Sequence, residues 1–394
     1  MTKEKILTKN FCFAFLSLLS ISMVMYMLMA TITQYATEFG STATLAGLVS
    51  GMYVVGGMFS RLAAGKGMET FGWKKLGLAA AGLHFAACCL YPFVSSLPLL
   101  ILVRFLHGLG FGAASSAIMT IGMSVLPAGR FGEAAGYLML GTTISVGIGP
   151  FVGGYIYDTF GAMGCFLCAM VMSFLTGIFL CFVDLRGVET GKDANLPKEE
   201  GVSLVRKLIE PNAVPISVVT ALSALGYVGV MSFYRIYAQQ VDLVEAFSWF
   251  FLLYAALLVV CRPAAGKIQD RYGNRYVCIP GILAQTAGLA LMAFRPCVLT
   301  LVLCAAGCAL GYGSLNSACN VMACQSASLS RRSYCVTTFY LCCDVAMGFG
   351  PALLGAVVTA FGSYQVMYFA AAGFTLLALP LFLVIDRRKI SASL

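Results

Sequence analysis

The chain has 394 residues, of which 60% are hydrophobic and only 10% charged. Soluble globular proteins carry about 25% charged residues, so this composition cannot clothe a water-exposed surface. The formal charge of +9 would allow a nucleic-acid partner, but the bases are dispersed between apolar runs along one predicted face, so no nucleic acid is expected.

The apolar runs are about 20 residues long, the length a helix needs to cross a bilayer. They are continuous rather than alternating, which selects helices over a barrel. The start is basic, with Lys3, Lys5 and Lys9. Residues 11–34 form a run too long for a signal peptide and lack a clear cleavage site, so they are predicted to be a retained first span. That span carries Met23, Met25, Met27 and Met29, with Tyr26 among them. Spans two to six are predicted at 42–64, 76–94, 99–124, 134–157 and 163–183. Residues 184–213 are rich in charge, without apolar periodicity, and are expected to be a solvated linker. Spans seven to twelve follow at 214–238, 246–265, 277–294, 299–322, 334–357 and 365–385. This defines an all-α membrane protein of two six-helix bundles, residues 1–183 and 214–394.

With odd-numbered loops outside, the outer face holds Glu38, Asp158, Asp242 and Glu245 against one base, Arg295, while the inner face holds nearly all the Lys and Arg. This positive-inside pattern places both termini and the linker in the cytoplasm of a cell-membrane protein, with membrane lipids against the basic face. A monomer is expected. The sixteen cysteines lie mostly inside apolar runs, where Cys behaves as a small hydrophobe. Cys165 and Cys168 have redox or metal spacing but no second pair nearby, so neither metal nor cofactor is expected.

The two halves repeat one another. Arg61, Gly65, Glu69 and Gly72 return as Arg262, Gly266, Asp270 and Gly273, each 201 positions later (262 minus 61). The same offset relates Gly149-Pro150 to Gly350-Pro351, Phe160-Gly161 to Phe361-Gly362, Arg130 to Arg331, and residues 109–112 to 310–313. A register held across several segments reports duplication.

Two six-helix halves, a polar linker and this repeated loop resemble the major facilitator superfamily. The family's loop motif is matched best by Gly266, Asp270, Arg271, Gly273 and Arg275. The first copy keeps Gly65, Gly72 and Lys74 but has Glu69 in place of Asp. The resemblance implies that both copies act as a conformational latch; the residues alone are also explained as basic turns.

Arg104, His107, Gly108, Gly110 and Gly112 in the fourth span are similar to a motif of the family's proton-coupled exporters, whose Arg is linked to proton transfer. His107 lies three residues from Arg104, on the same helix face. Two readings stay open: an interior Arg, or one that snorkels to the interface. Gly141, Ser145, Gly149 and Gly153, with Pro150, form a four-residue ridge where another helix can approach. Residues 147–154 resemble the family's antiporter motif, which implies export. Gly350 and Pro351 repeat part of the ridge, and Leu354 interrupts it, so close approach is expected to end one turn earlier in span eleven.

Asp344 is the carboxylate set most clearly inside an apolar run. It is read as the proton-coupling acid, with a structural pair or a substrate contact as the alternatives. Arg235, Tyr26 and Tyr237 are candidates for the substrate cavity, Arg235 alternatively snorkelling to outer headgroups. The expected function is proton-coupled export of a small organic or amphipathic solute by alternating access; the alternative is proton-coupled uptake of a sugar or organic acid. The absence of proline from span one weighs against drug export. No metallopeptidase, serine-nucleophile or nucleotide-binding motif is present, and no sizeable soluble domain marks a sensor.

Overall fold

A computed structural model describes residues 7–126, 131–185, 209–326 and 332–393. The linker expected at 184–213 lies largely outside these residues, as do Arg130 and Arg331. Among the described residues every regular element is helical. The helices are α1 (Lys9–Thr37), α2 (Ala43–Phe71), α3 (Trp73–Leu90), α4 (Leu97–Ser124) and α5 (Phe131–Phe182), followed by α6 (Val214–Gln240), α7 (Val244–Tyr272), α8 (Arg275–Phe294), α9 (Val298–Cys308), α10 (Ser314–Cys324), α11 (Arg332–Phe361) and α12 (Tyr364–Ser393). A π turn, Ala309–Gly313, joins α9 to α10.

Among the described residues, 11 helical segments are long and apolar enough to cross a membrane. One of them, Tyr137–Phe182, has 46 residues. At 1.5 Å per residue it is about 69 Å long, roughly twice a hydrocarbon core. It is broken at Gly161, whose φ of 67° and ψ of −169° leave the helical region. The outward faces are apolar: Phe93, Phe160, Phe294 and Phe361 at helix ends, each at least 66% exposed, cannot be left in water. Aromatic residues at the ends of membrane spans are typical of the membrane interface.

The repeat reaches the backbone conformation. Gly72 and Gly273 have φ of 84° and 95°, and Gly161 and Gly362 have φ of 67° and 66°. Only glycine adopts such angles without strain. α2 and α7 run through most of the motif predicted to be a loop, α7 with Pro263 inside it. Gly65, Glu69, Gly266, Asp270 and Arg271 are thus helical, and the turn is confined to the glycine that follows.

The chain forms two compact units. The first takes residues up to Phe39 and from Met52 through α5; the second takes Gly40–Gly51 and the residues from the Pro211–Ala213 turn onward. In the first unit, α1 lies along α5 and α3 packs on α4 and α5. Its core includes Phe11, Leu18, Tyr53, Phe111, Ile118 and Leu180. In the second unit, α6 packs on α11 and α12, around Ile216, Ile282, Phe339 and Phe382.

Candidate functional site

The first unit holds a fully enclosed polar cluster where α2, α3, α4 and α5 meet. Glycines permit the approach. A side chain at Gly108 or Gly112 would strike the carbonyls of Tyr53 and Gly57 on α2. A Cβ at Gly110 would lie 2.6 Å from the His84 backbone nitrogen on α3. Every second residue from 108 to 112 thus lets a neighbouring backbone come close, and His107 sits at the head of that series.

Arg104, His107, His84 and Tyr53 are all 0% exposed. The Arg104 guanidinium carbon lies 4.6 Å from the Tyr53 ring centre, a cation–π contact that gains strength away from water. Its Nη1 donates to the Tyr91 hydroxyl at 3.5 Å. His107 Nδ1 is 2.9 Å from the same hydroxyl, and its Nε2 is 3.2 Å from Cys88 Sγ. His84 Nδ1 meets Ser173 Oγ at 2.6 Å, and its Nε2 meets Tyr53 Oη at 3.3 Å. The imidazole centres are 4.2 Å apart. These are the only two histidines in the chain. Phe166 stacks on Tyr91 at 4.8 Å and closes one side.

Arg104 is therefore interior rather than snorkelling, and it is brought together with His107. Reading the sequence missed His84, Cys88, Tyr91 and Ser173. Two signals point to His84: Cys88 follows it by one helical turn, and Gln285, another polar residue in an apolar run, stands 201 positions later (285 minus 84). Gln285 is also fully buried. Its Oε1 accepts from the Ser223 hydroxyl and from the backbone N–H of Tyr312 at 3.0 Å. That second bond repairs the π turn, where Gly311 leaves the helical region. Residues 109–112 form ordinary α-helix, while their counterparts 310–313 lie in the π turn.

The other predicted residues are spread over the two units. Asp344 is half-buried on α11. Among carboxylates in the described spans, it alone lies ten or more residues from a helix end or break. Arg235 is 5% exposed on α6. Tyr237, one turn away from Phe233, is buried against Tyr368 at 4.8 Å, and its hydroxyl donates to the Met292 carbonyl at 3.1 Å. Tyr26 is half-buried, and its Cβ lies 2.8 Å from where a Cβ at Gly149 would be. Of the three cavity candidates, Tyr26 belongs to the first unit and Arg235 and Tyr237 to the second.

The α5 ridge is taken up by α1: Gly141 faces Phe15 and Leu19, Ser145 Oγ donates to the Leu19 carbonyl at 3.1 Å, and Gly149 and Gly153 face Tyr26 and Met27. Pro150 sits within this helix. On α11, Gly350 faces Leu225 and Val228 of α6. Leu354, which interrupts the small-residue series, lies over Gly229, where an added Cβ would come within 2.9 Å of its Cδ1, so the seam continues with large and small exchanged. Gly355 faces the Ala43 carbonyl, and Pro351 faces Gly47.

At the latch motif, Lys74 Nζ donates to the Cys181 and Val183 carbonyls at 2.7 and 2.6 Å. These are orphan carbonyls at the C-terminal end of α5, where a cation is favoured. Its counterpart Arg275 pairs with Asp386 near the end of α12 at 3.2 Å. Each base thus ties the start of one helix to the end of the last helix of its own unit. Asp270 and Arg271 are exposed, and Arg271 lies over Tyr272 at 5.2 Å.

Comparison with known proteins places this architecture. The family model for the Major Facilitator Superfamily matches residues 14–244 and 216–393. The chain belongs to that superfamily: it is a multi-pass membrane transporter of a small solute and not an enzyme. An uncharacterized MFS-type transporter of Methanocaldococcus jannaschii is 20% identical over 341 residues, 86% of this chain and 88% of that one. The multi-drug resistance efflux pump PmrA of Streptococcus pneumoniae is 26% identical over 282 residues, 70% of each chain. Among solved structures, the nucleoside transporter NupG aligns with a TM-score of 0.75 at 14% identity, over 96% of this chain and 99% of that one. A bacterial homolog to the human lysosomal transporter Spinster, in an inward-facing and unoccupied conformation, aligns at 0.74 and 14% identity, over 96% of each.

Proposed function

We propose that this transporter exports a small organic or amphipathic solute in exchange for protons, by alternating access of two six-helix bundles, residues 1–183 and 214–394. In this reading the long helix α5 crosses the membrane twice, with Gly161 at the turn, which makes twelve spans. The observation that carries proton coupling is Asp344, a half-buried carboxylate far from either end of α11. A carboxylate in such a place is costly to keep charged and suits a group that gains and loses a proton each cycle. Arg104 and His107 take part in proton coupling, Arg104 as the positive charge in the hydroxyl-lined interior of the first unit. Arg235 binds an anionic part of the solute. The two latch motifs hold the outward-open state, and both termini face the cytoplasm of the cell membrane.

Export is favoured by residues 147–154 and by the relation to PmrA. Uptake of a sugar or organic acid is the second reading, supported by the absence of proline from α1. The test uses inverted vesicles carrying the wild type or Asp344→Asn. Export driven by a proton gradient is expected in the wild type and lost in the variant at equal folded yield. Unchanged coupling in the variant would remove Asp344 from the mechanism.

A further inference from the structure

We propose that the cluster between α3 and α4 binds one soft monovalent cation, copper(I) or silver(I), through His84 Nε2, Cys88 Sγ and His107 Nε2. One nitrogen of each imidazole and Cys88 Sγ lie within 4.8 Å of one another, and all three residues are buried. His84 and Cys88 are one turn apart on α3, so both face α4. His107 meets them from α4, at the close approach that Gly110 permits.

Of the proton assignments that these contacts permit, one orients both rings as a metal site does. His84 Nδ1–H donates to Ser173 Oγ at 2.6 Å, and His107 Nδ1–H donates to Tyr91 Oη at 2.9 Å. Each Nε2 then offers its lone pair inward. That of His107 accepts from the Cys88 thiol at 3.2 Å, and that of His84 from the Tyr53 hydroxyl at 3.3 Å. A hydrogen-bond acceptor on the far nitrogen is how ligating imidazoles are oriented and made more basic. On binding, the S–H bond breaks, its proton leaves to water, and a metal–sulfur bond forms. No oxidation state changes.

The neighbouring charge selects the ion. Arg104, stacked on Tyr53, already places one positive charge beside the donors. A monovalent ion with one thiolate and two neutral imidazoles adds no net charge. A divalent ion would leave a second positive charge in a buried region, which is costly. Thiolate and imidazole donors also suit copper(I) by softness. The fold does not require this donor set, because Gln285, Leu289 and Cys308 stand at the corresponding places of the second unit.

The experiment titrates purified full-length protein with silver(I), and anaerobically with copper(I) against a competing chelator. Wild type is compared with His84→Gln, Cys88→Leu and Ser173→Ala. The other fifteen cysteines set a background, so the readout is the difference. The wild type is expected to hold one equivalent more than His84→Gln or Cys88→Leu. Ser173→Ala is expected to keep the equivalent with affinity about 10–100-fold weaker. X-ray absorption of the wild-type difference should show two nitrogen scatterers and one sulfur. If Cys88→Leu folds poorly, His84→Gln decides alone, since glutamine already occupies the corresponding buried place in the second unit. Equal loading of wild type and His84→Gln, or preference for zinc(II) over silver(I), would overturn the proposal.

Discussion

At the scale of single residues, Arg104 dominates the first unit. Its planar guanidinium lies over Tyr53 while Nη1 reaches Tyr91, a geometry that a lysine ammonium cannot reproduce. Arg104→Lys is therefore expected to keep the charge yet lower transport by about tenfold or more, the equivalent of roughly 1.4 kcal/mol. Initial-rate transport in vesicles at matched protein content measures this, and near wild-type rates for Arg104→Lys would show that charge alone matters. The membership of Arg104 and His107 in one cluster was legible from their spacing of three. His84 was not, because it stands on another helix and its partners become neighbours only when glycines bring α3 against α4.

At the scale of elements, close approach and end-tying do the structural work. Gly110→Leu would drive a side chain into the His84 backbone. Overpacking of this kind costs about 1–3 kcal/mol, so a lower thermal midpoint is expected in detergent, together with disturbance of the histidine pair. Lys74→Ala removes two hydrogen bonds to the end of α5. Lys74 is partly exposed, so screening reduces the loss to about 1 kcal/mol. Thermal unfolding should register this, while Lys75→Ala should not. An equal effect of the two substitutions would argue against end-tying. The spans and their register could be read from hydrophobic runs and the 201-residue offset. The ends of α2 and α7 could not, because the polar residues before Gly72 and Gly273 have the composition of a loop although they propagate a helix. The π turn was equally hidden. Residues 109–112 and 310–313 match, and the second set bonds to Gln285 and Arg262 from other helices.

At the scale of the whole molecule, a 201-residue offset relates the two halves of the sequence, and the positions that break it are the candidates for the proposed chemistry. Composition was enough to place the chain in a membrane, because so few charges leave no other solvent for its surface. The Arg–His cluster occurs in the first unit, where the second has Ala305 and Cys308; Asp344 occurs in the second, where the first has Thr143. Fold and family follow from what the halves share, and the proposed coupling follows from where they differ. The most direct measurement is solute accumulation in cells with and without this protein, each with and without a proton uncoupler. The account predicts that the protein lowers accumulation of at least one solute and that the uncoupler restores it. Accumulation raised by the protein, or an effect that the uncoupler leaves untouched, would contradict proton-driven export.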